Sequence, residues 1–272
     1  MSKPILYTFP GSVWAAAPHL ALPELGIDAD FSEVNLLEAA NFDPEFLKLN
    51  PNATVPTLTH GGKSYRSTAE VIDYLASISS TKVAPETSIT KVVHEERIDP
   101  NFALYAARND EELVQVSGSF SNVFTTTRLG HLKRYAATPE AQANKPFYDG
   151  RITKLSSLHA VLNGQAADDA KQGFFSTSTA LWDNVKDFLV ETLPAAIAEG
   201  PFIGGARPGM DDFHVAVWLA RIAWVSGAQK SEEGVSVLEK RFGPLPKKVK
   251  AYWAAWIARD SWVKAYPENA LH

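Results

Sequence analysis

Residues 43–58 read Asp-Pro-Glu-Phe-Leu-Lys-Leu-Asn-Pro-Asn-Ala-Thr-Val-Pro-Thr-Leu, and this stretch decides the fold class. Its first part, residues 44–49, predicts a short helix, and an Asn-Pro turn follows. Residues 54–59 then predict an extended segment. The pair Gly61-Gly62 is a hairpin turn signal, so residues 63–65 are predicted to form the next strand. The local order is therefore helix, strand, strand.

The segments on both sides extend this pattern. Residues 5–9 are a β-prone run closed by Pro10-Gly11, and residues 30–36 are another. Between them, residues 13–25 are rich in Ala and Leu and end at Gly26, a common helix C-terminus. Residues 67–78 predict a helix with one apolar face. The first 80 residues thus predict the order β-α-β-α-β-β-α.

The remainder of the chain carries helical patterns. Residues 79–90 are rich in Ser and Thr and are predicted to be a linker. Residues 164–175 are predicted to be a polar surface loop. We therefore predict an α/β domain over residues 1–80 and an all-α domain over residues 91–272. The helices predicted in the second domain cover roughly residues 91–118, 121–136, 149–162, 178–199, 210–226, 235–242 and 245–258.

Composition narrows the function classes. The 272 residues carry a net charge of −5 without a run of Lys and Arg, which argues against a nucleic-acid partner. The chain has no cysteine, so protein thiolates, disulfides and cysteine-ligated metals are excluded. It has neither a secretory signal pattern at its start nor a long apolar run, so we expect a soluble, cytoplasmic protein.

Residues 43–58 closely resemble the helix-loop-strand segment of the cytosolic glutathione transferases. The resemblance implies a thioredoxin-like α/β domain that binds glutathione as co-substrate, followed by an all-helical domain. It also implies a cis Val55-Pro56 bond whose Val55 backbone pairs with the cysteinyl part of glutathione. The alternative is an ordinary trans proline on an edge strand. The residues assigned to glutathione are Trp14, Thr54, Val55, Pro56, Ser67 and Thr68.

Residues 67–75, Ser-Thr-Ala-Glu-Val-Ile-Asp-Tyr-Leu, resemble a second segment of that family. There, a hydroxyl residue at a helix N-terminus holds the γ-glutamyl carboxylate, and Thr68 fills that position. Ser67 departs from the family, which usually has Glu or Gln there. Because Ser67 and Glu70 also fit a capping box, a purely structural role remains open.

Alignment of the first helix places Ser12 where omega-like and zeta-like members carry Cys or Ser. The resemblance implies a serine-type enzyme in which the Ser12 hydroxyl donates to the glutathione sulfur and lowers its pKa. Tyr7 is the second candidate, and Ser12 as a simple turn residue is a third interpretation. Pro18 leaves two possibilities: a helix that begins at residue 13 with an interior proline, or one that begins near Pro18 and leaves Ser12 in a loop.

Other motifs favour structural roles. Residues 201–213 resemble the start of the family's core helix, where a Ser/Thr cap pairs with an Asp three residues on. Gly209 replaces the capping hydroxyl, whereas Asp212 keeps its position and is expected to have a structural role. Residues 94–98 begin like a zinc-protease motif but lack its second histidine, so they predict a helical surface run, and we expect no metal site. Tyr105 and Arg108 fall where the family lines its electrophile site, although a packed tyrosine and a solvated arginine also fit.

The expected activity is conjugation of glutathione thiolate to a hydrophobic electrophile, by a homodimer without metal or membrane. The length of the helical half resembles a fungal branch of the family. An alternative to this activity is favoured by three departures from the family: Ser67, the proline in the first helix and the absence of that helix's usual arginine. That alternative is a ligand-carrying or regulatory protein with little catalysis, and a glutathione-dependent isomerase or etherase is the third hypothesis.

Overall fold

A computed structural model describes residues 3–272. Its sheet has four strands in the order β2-β1-β3-β4, with β1 at Ile5–Thr8, β2 at Asp30–Glu33, β3 at Thr57–His60 and β4 at Lys63–Tyr65. β3 is antiparallel to both of its neighbours. β2 is shorter than predicted because the chain turns after Glu33.

Three helices belong to the predicted α/β pattern: α1 at Val13–Leu25, α2 at Pro44–Leu49 and α3 at Thr68–Ile78. α1 is followed by Gly26 as its C-cap, whose left-handed backbone (φ 64°) lets its N–H bond back to the last turn. Asp43 caps α2 by accepting from the Glu45 N–H at 2.8 Å. The predicted order β-α-β-α-β-β-α is confirmed.

Everything after α3 is helical apart from turns and isolated bridges, so the predicted fold class, an α/β part followed by helices, is confirmed. The helices after α3 are α4 Ser88–Val93, α5 Asp110–Ser117, α6 Phe120–Ala136, α7 Lys145–Leu162, α8 Asp168–Asp187, α9 Leu193–Ala196, α10 Met210–Val225, α11 Gly234–Phe242, α12 Lys247–Ile257 and α13 Asp260–Ala265.

Two predictions about these helices are wrong. Residues 91–118 are not one helix: α4 ends at Val93, and two short 3₁₀ turns precede α5. Pro100 explains part of this break, because proline disfavours helical backbone at the preceding residue. Residues 168–175 are the first turns of α8, not a loop. Their polarity fits an exposed helix, since only Phe175 is buried in that stretch.

Contacts divide the chain into two compact units. Unit 1 comprises the described residues up to Ser32, Val55–Ala103 and Trp182–His272. Within it, α1 packs against α3, α10 and α13. α10 is its central helix, since most of its residues are buried, including Trp218 and Phe213 at 0% exposure.

Unit 2 comprises Glu33–Thr54 and Leu104–Leu181. One of its apolar clusters joins Phe42 and Leu47 to Leu132 and Tyr148, and the buried Tyr148 hydroxyl donates to the Phe42 carbonyl at 2.7 Å. A second cluster surrounds Phe175. The division into domains at residues 1–80 and 91–272 stays a prediction.

Within residues 3–272, no helix combines the length and the apolar character needed to cross a lipid bilayer.

Candidate functional site

Strand register brings three separate stretches of unit 1 to one end of the sheet. Tyr7 lies opposite Thr57, so the carboxyl end of β1 lies beside the amino end of β3. Leu58 lies opposite Tyr65, so the carboxyl end of β4 reaches the same end. The stretches that continue from these three strand ends are residues 9–12, 55–56 and 66–68. These stretches contain five of the ten predicted site residues, namely Ser12, Val55, Pro56, Ser67 and Thr68.

The first stretch ends at the N-terminus of α1, where Ser12 is the N-cap. α1 begins at Val13, so Pro18 lies in its interior and only the first of the two possibilities left by the sequence holds. The Ser12 Oγ accepts from the Ala15 N–H at 3.4 Å. A hydroxyl that accepts in this way keeps its own proton free to donate. Half-buried Ser12 can therefore cap the helix and donate to a ligand at once.

The second stretch contains the Val55-Pro56 bond, which is cis as predicted. Val55 is 8% exposed and precedes the first paired residue of β3 by two positions, so it lies outside the β1-β3 ladder. The adjoining Thr54 is held within unit 2 by Asn50, whose Nδ2 donates to the Thr54 carbonyl at 3.0 Å and contacts its Oγ1 at 3.2 Å.

The third stretch starts α3. The Ser67 Oγ accepts from the Glu70 N–H at 3.2 Å, which confirms the structural half of the capping interpretation. The Glu70 carboxylate accepts from the Arg66 N–H at 2.6 Å, one residue earlier than a standard capping box requires. Thr68 is the first helical residue and is only 6% exposed.

A buried arginine lies beneath the turn before Ser12. Arg221 of α10 is 3% exposed, and its Nη2 donates to the Gly11 carbonyl at 2.5 Å. Its guanidinium also lies 5.0 Å from the centroid of the Trp224 ring. Burial raises the pKa of Tyr266 and lowers that of His272, and the Arg221 charge lowers both. Sequence reasoning missed Arg221 because nothing local links it to a turn 210 residues earlier.

Trp14, predicted to contact glutathione, stacks on His94 with ring centroids 3.9 Å apart. The His94 Nε2 lies 2.9 Å from the Nδ1 of His214, a fully buried residue of α10. Burial and the neighbouring His94 lower the pKa of His214 to about 3, so this ring is neutral at pH 7. The His214 Nε2 has no hydrogen-bond partner among residues 3–272. His94 therefore belongs to a histidine pair, which its sequence context did not indicate.

Tyr7 lies within β1 and is half-buried. Strand alternation puts it on the face opposite Leu6 and Thr8, and Thr8 contacts the His19 ring of α1 at 3.0 Å. Ser12, in contrast, stands at the N-terminus of α1. The structure therefore gives the two thiol candidates different electrostatic surroundings, with the helix dipole favouring Ser12.

Asp212 has the structural role that the sequence predicted. It accepts from the N–H groups of Ile203, Gly204 and Gly209 at 2.7 to 2.9 Å. Burial raises the pKa of Asp212 to about 6, although the three N–H donors act in the opposite direction. Its neighbour Asp211 accepts from the Thr90 hydroxyl at 2.7 Å and so joins α10 to α4.

The two residues predicted to contact the electrophile both lie in unit 2. Tyr105 packs against the cluster around Phe175. Arg108 is exposed and forms a bidentate pair with Glu112 through its Nε and Nη2. The packed tyrosine and the solvated arginine of the alternative interpretation are thus what the structure contains. No group of three or more potential ligand side chains within residues 3–272 could hold a metal ion.

Comparison with known proteins finds a family match over the N-terminal part of the chain. Residues 6–82 match the glutathione S-transferase N-terminal domain. The glutathione S-transferase TCHQD of Arabidopsis thaliana is 38% identical over 74 residues, which span 27% of this chain and 28% of that protein. The tetrachloro-p-hydroquinone reductive dehalogenase of Sphingobium chlorophenolicum is 22% identical over 242 residues, 83% of this chain and 88% of that protein.

The likeness of fold extends over the whole chain. The β-etherase LigF of a Sphingobium species aligns with a TM-score of 0.63 at 15% identity, over 98% of this chain and 100% of that one. The matched N-terminal domain and the shared fold agree with the residues that suggested the relationship. Residues 6–82 are thus similar to a glutathione S-transferase N-terminal domain, and the whole chain is similar in fold to the β-etherase LigF.

Proposed function

We propose that this protein is an enzyme that binds glutathione at the end of its sheet and transfers its thiolate to an electrophile. The observation that carries the proposal is the convergence of two helix N-termini, those of α1 and α3, on the sheet end that holds Val55. Helix N-termini offer free N–H groups and positive dipole ends. Glutathione brings two matching anionic groups, a γ-glutamyl carboxylate and a thiolate.

In this proposal the N-terminus of α3 binds the γ-glutamyl carboxylate. Backbone amides at Thr68 and the following residue would donate to it, and Ser67 keeps the helix start fixed by capping it. Val55 pairs its backbone with the cysteinyl part as an added strand would. Trp14, Thr54 and Pro56 complete the proposed binding surface.

Ser12 is the proposed thiol-activating residue. Its hydroxyl proton is free because its Oγ accepts from the Ala15 N–H, so it can donate to the glutathione sulfur. A hydrogen bond and a helix N-terminus both favour the thiolate over the thiol. The thiolate then attacks the electrophilic carbon, a carbon–sulfur bond forms, and the leaving group departs with the electron pair. Tyr7 remains the second candidate for this role.

The relatives support glutathione-dependent chemistry without defining the electrophile. One is named a transferase, one a reductive dehalogenase and one a β-etherase. Our proposal includes a hydrophobic electrophile, a homodimer and a cytoplasmic location. The second candidate, a glutathione-dependent ligand carrier with little catalysis, is favoured by Pro18 in the interior of α1, a departure from the first helix of the glutathione transferases.

Two measurements test the proposal. Calorimetry should show glutathione binding, and a conjugation assay with chlorodinitrobenzene should show turnover that falls about 100-fold in Ser12→Ala, by analogy with loss of one charge-stabilising donor. Ser77→Ala, which removes an exposed hydroxyl near the other end of α3, is the matched control. If wild type and Ser12→Ala both bind glutathione but show equal, negligible conjugation rates, the carrier function remains. If wild type does not bind glutathione, both the enzyme and the carrier functions are refuted.

A further inference from the structure

Arg128, in the middle of α6, is a half-buried arginine whose guanidinium is only partly used. Its Nη1 donates to the Leu36 carbonyl and, at 3.2 Å, to the Asn41 Oδ1. The Phe42 and Phe124 ring centroids lie 4.6 and 5.0 Å from its central carbon. All of these groups belong to unit 2, so the guanidinium is held in place within one compact unit.

The other edge of this guanidinium, formed by Nε and Nη2, has no hydrogen-bond partner among the residues that the structure describes. Elsewhere in the molecule this edge binds a carboxylate. Arg259 uses it on Glu24, with Nε and Nη2 donating at 2.6 and 2.5 Å, and Arg108 uses it on Glu112. Two parallel donors on one edge match the two oxygens of a carboxylate. Arg128 presents the same edge without a carboxylate from this chain.

The charges around Arg128 also favour an anionic ligand. Burial lowers its pKa to about 10, so the group stays cationic at pH 7. The neighbouring Arg151 acts in the same direction, and Tyr105 acts against it. Arg151 donates to the Asn52 carbonyl at 3.3 Å and lies over the Phe147 ring. A desolvated cation beside a second cation is stabilised by any anion that binds between or against them.

We propose that Arg128, assisted by Arg151, binds the carboxylate of a small organic ligand through its free Nε and Nη2 edge. Phe42 and Phe124 give the guanidinium apolar surroundings, which strengthen a charge-assisted hydrogen bond. The carboxylate site does not depend on the proposed transferase function, because all of the groups that form it lie in unit 2.

Binding is tested on the full chain without glutathione. Calorimetric titration with sodium benzoate is compared with benzamide, its uncharged counterpart. We expect wild type to bind benzoate more tightly than benzamide. In Arg128→Met, the affinity for benzoate should be at least about tenfold lower than in wild type, since a hydrogen bond to a charged group contributes this much. Arg134→Gln, an exposed arginine on the same helix, is the matched control and should keep the wild-type preference.

Further variants keep the test decisive if Arg128→Met does not fold. Arg128→Lys retains the charge without the two-donor edge and should bind benzoate less tightly than wild type, and Arg151→Gln should weaken it by a smaller factor. Equal affinity of wild type for benzoate and benzamide, or an Arg151→Gln variant that matches wild type, would overturn the proposal.

Discussion

Replacing Arg221 by methionine should raise the pKa of the bound glutathione thiol. The guanidinium contacts the Gly11 carbonyl at 2.5 Å, one residue before Ser12. A glutathione sulfur hydrogen-bonded to the Ser12 hydroxyl would lie about 8 Å from the Arg221 guanidinium. At about 8 Å, two unit charges interact by about 1 to 2 kcal/mol at an effective dielectric constant of about 20 to 40. Loss of the positive charge should therefore raise the thiol pKa by about one unit.

The pKa is measured by titrating the ultraviolet absorbance of the thiolate in the protein–glutathione complex. Glutathione affinity at low pH, where the thiol is protonated in every variant, separates the charge effect from damage to the site. Arg241→Met removes an arginine of α11 that stacks on Trp182 and serves as the control. An unchanged thiol pKa in Arg221→Met, with glutathione still bound, would refute an electrostatic role for Arg221.

Three further predictions concern stability, each measured by chemical denaturation. Glu24→Gln should lower the free energy of unfolding by about 2 kcal/mol at pH 7, because it weakens the pair with Arg259. Burial alone would raise the pKa of Glu24, but hydrogen bonds from Arg259 and Ser261 lower it. The advantage of wild type should therefore shrink as the pH falls below about 4.5. Burial raises the pKa of Asp212 to about 6, so the folded state holds the carboxyl proton more tightly than the unfolded chain does. As the pH rises from about 4 to 6, wild type should therefore lose up to about 3 kcal/mol of stability relative to Asp212→Asn. A stability difference between wild type and Asp212→Asn that stays constant over this pH range would contradict the raised pKa of Asp212. Tyr148→Phe should cost about 1 kcal/mol through the lost bond to Phe42, and no loss would show that water replaces it.

The part of the site made by local sequence was predictable. Ser12 and Ser67 are N-caps, and the residue types at helix starts reveal such positions because a short hydroxyl side chain satisfies free N–H groups. Asp212 was assigned correctly for a related reason, since its partners include Gly209, three residues earlier. The cis Val55-Pro56 bond followed from resemblance to a known segment.

The groups contributed by distant segments were not predictable. Arg221 reaches Gly11, and His94 reaches His214, across more than one hundred residues of chain. Sequence spacing carries no information about such pairs, because helix packing alone decides which side chains meet. The start of α8 was missed for a different reason: its first turns are polar and exposed, so apolar periodicity, the main helix signal, was absent there.

By itself, the sequence determined the order of strands and helices up to residue 78, the helical character of the rest and the absence of cysteine chemistry. These follow from local propensity, turn residues and composition, which act over a few positions. Only the tertiary structure decided that β1, β3 and β4 deliver Ser12, Val55 and Ser67 to one end of the sheet, and that Arg128 keeps one edge of its guanidinium free. Strand register and side-chain packing are properties of the folded chain, because each depends on contacts between residues far apart in sequence.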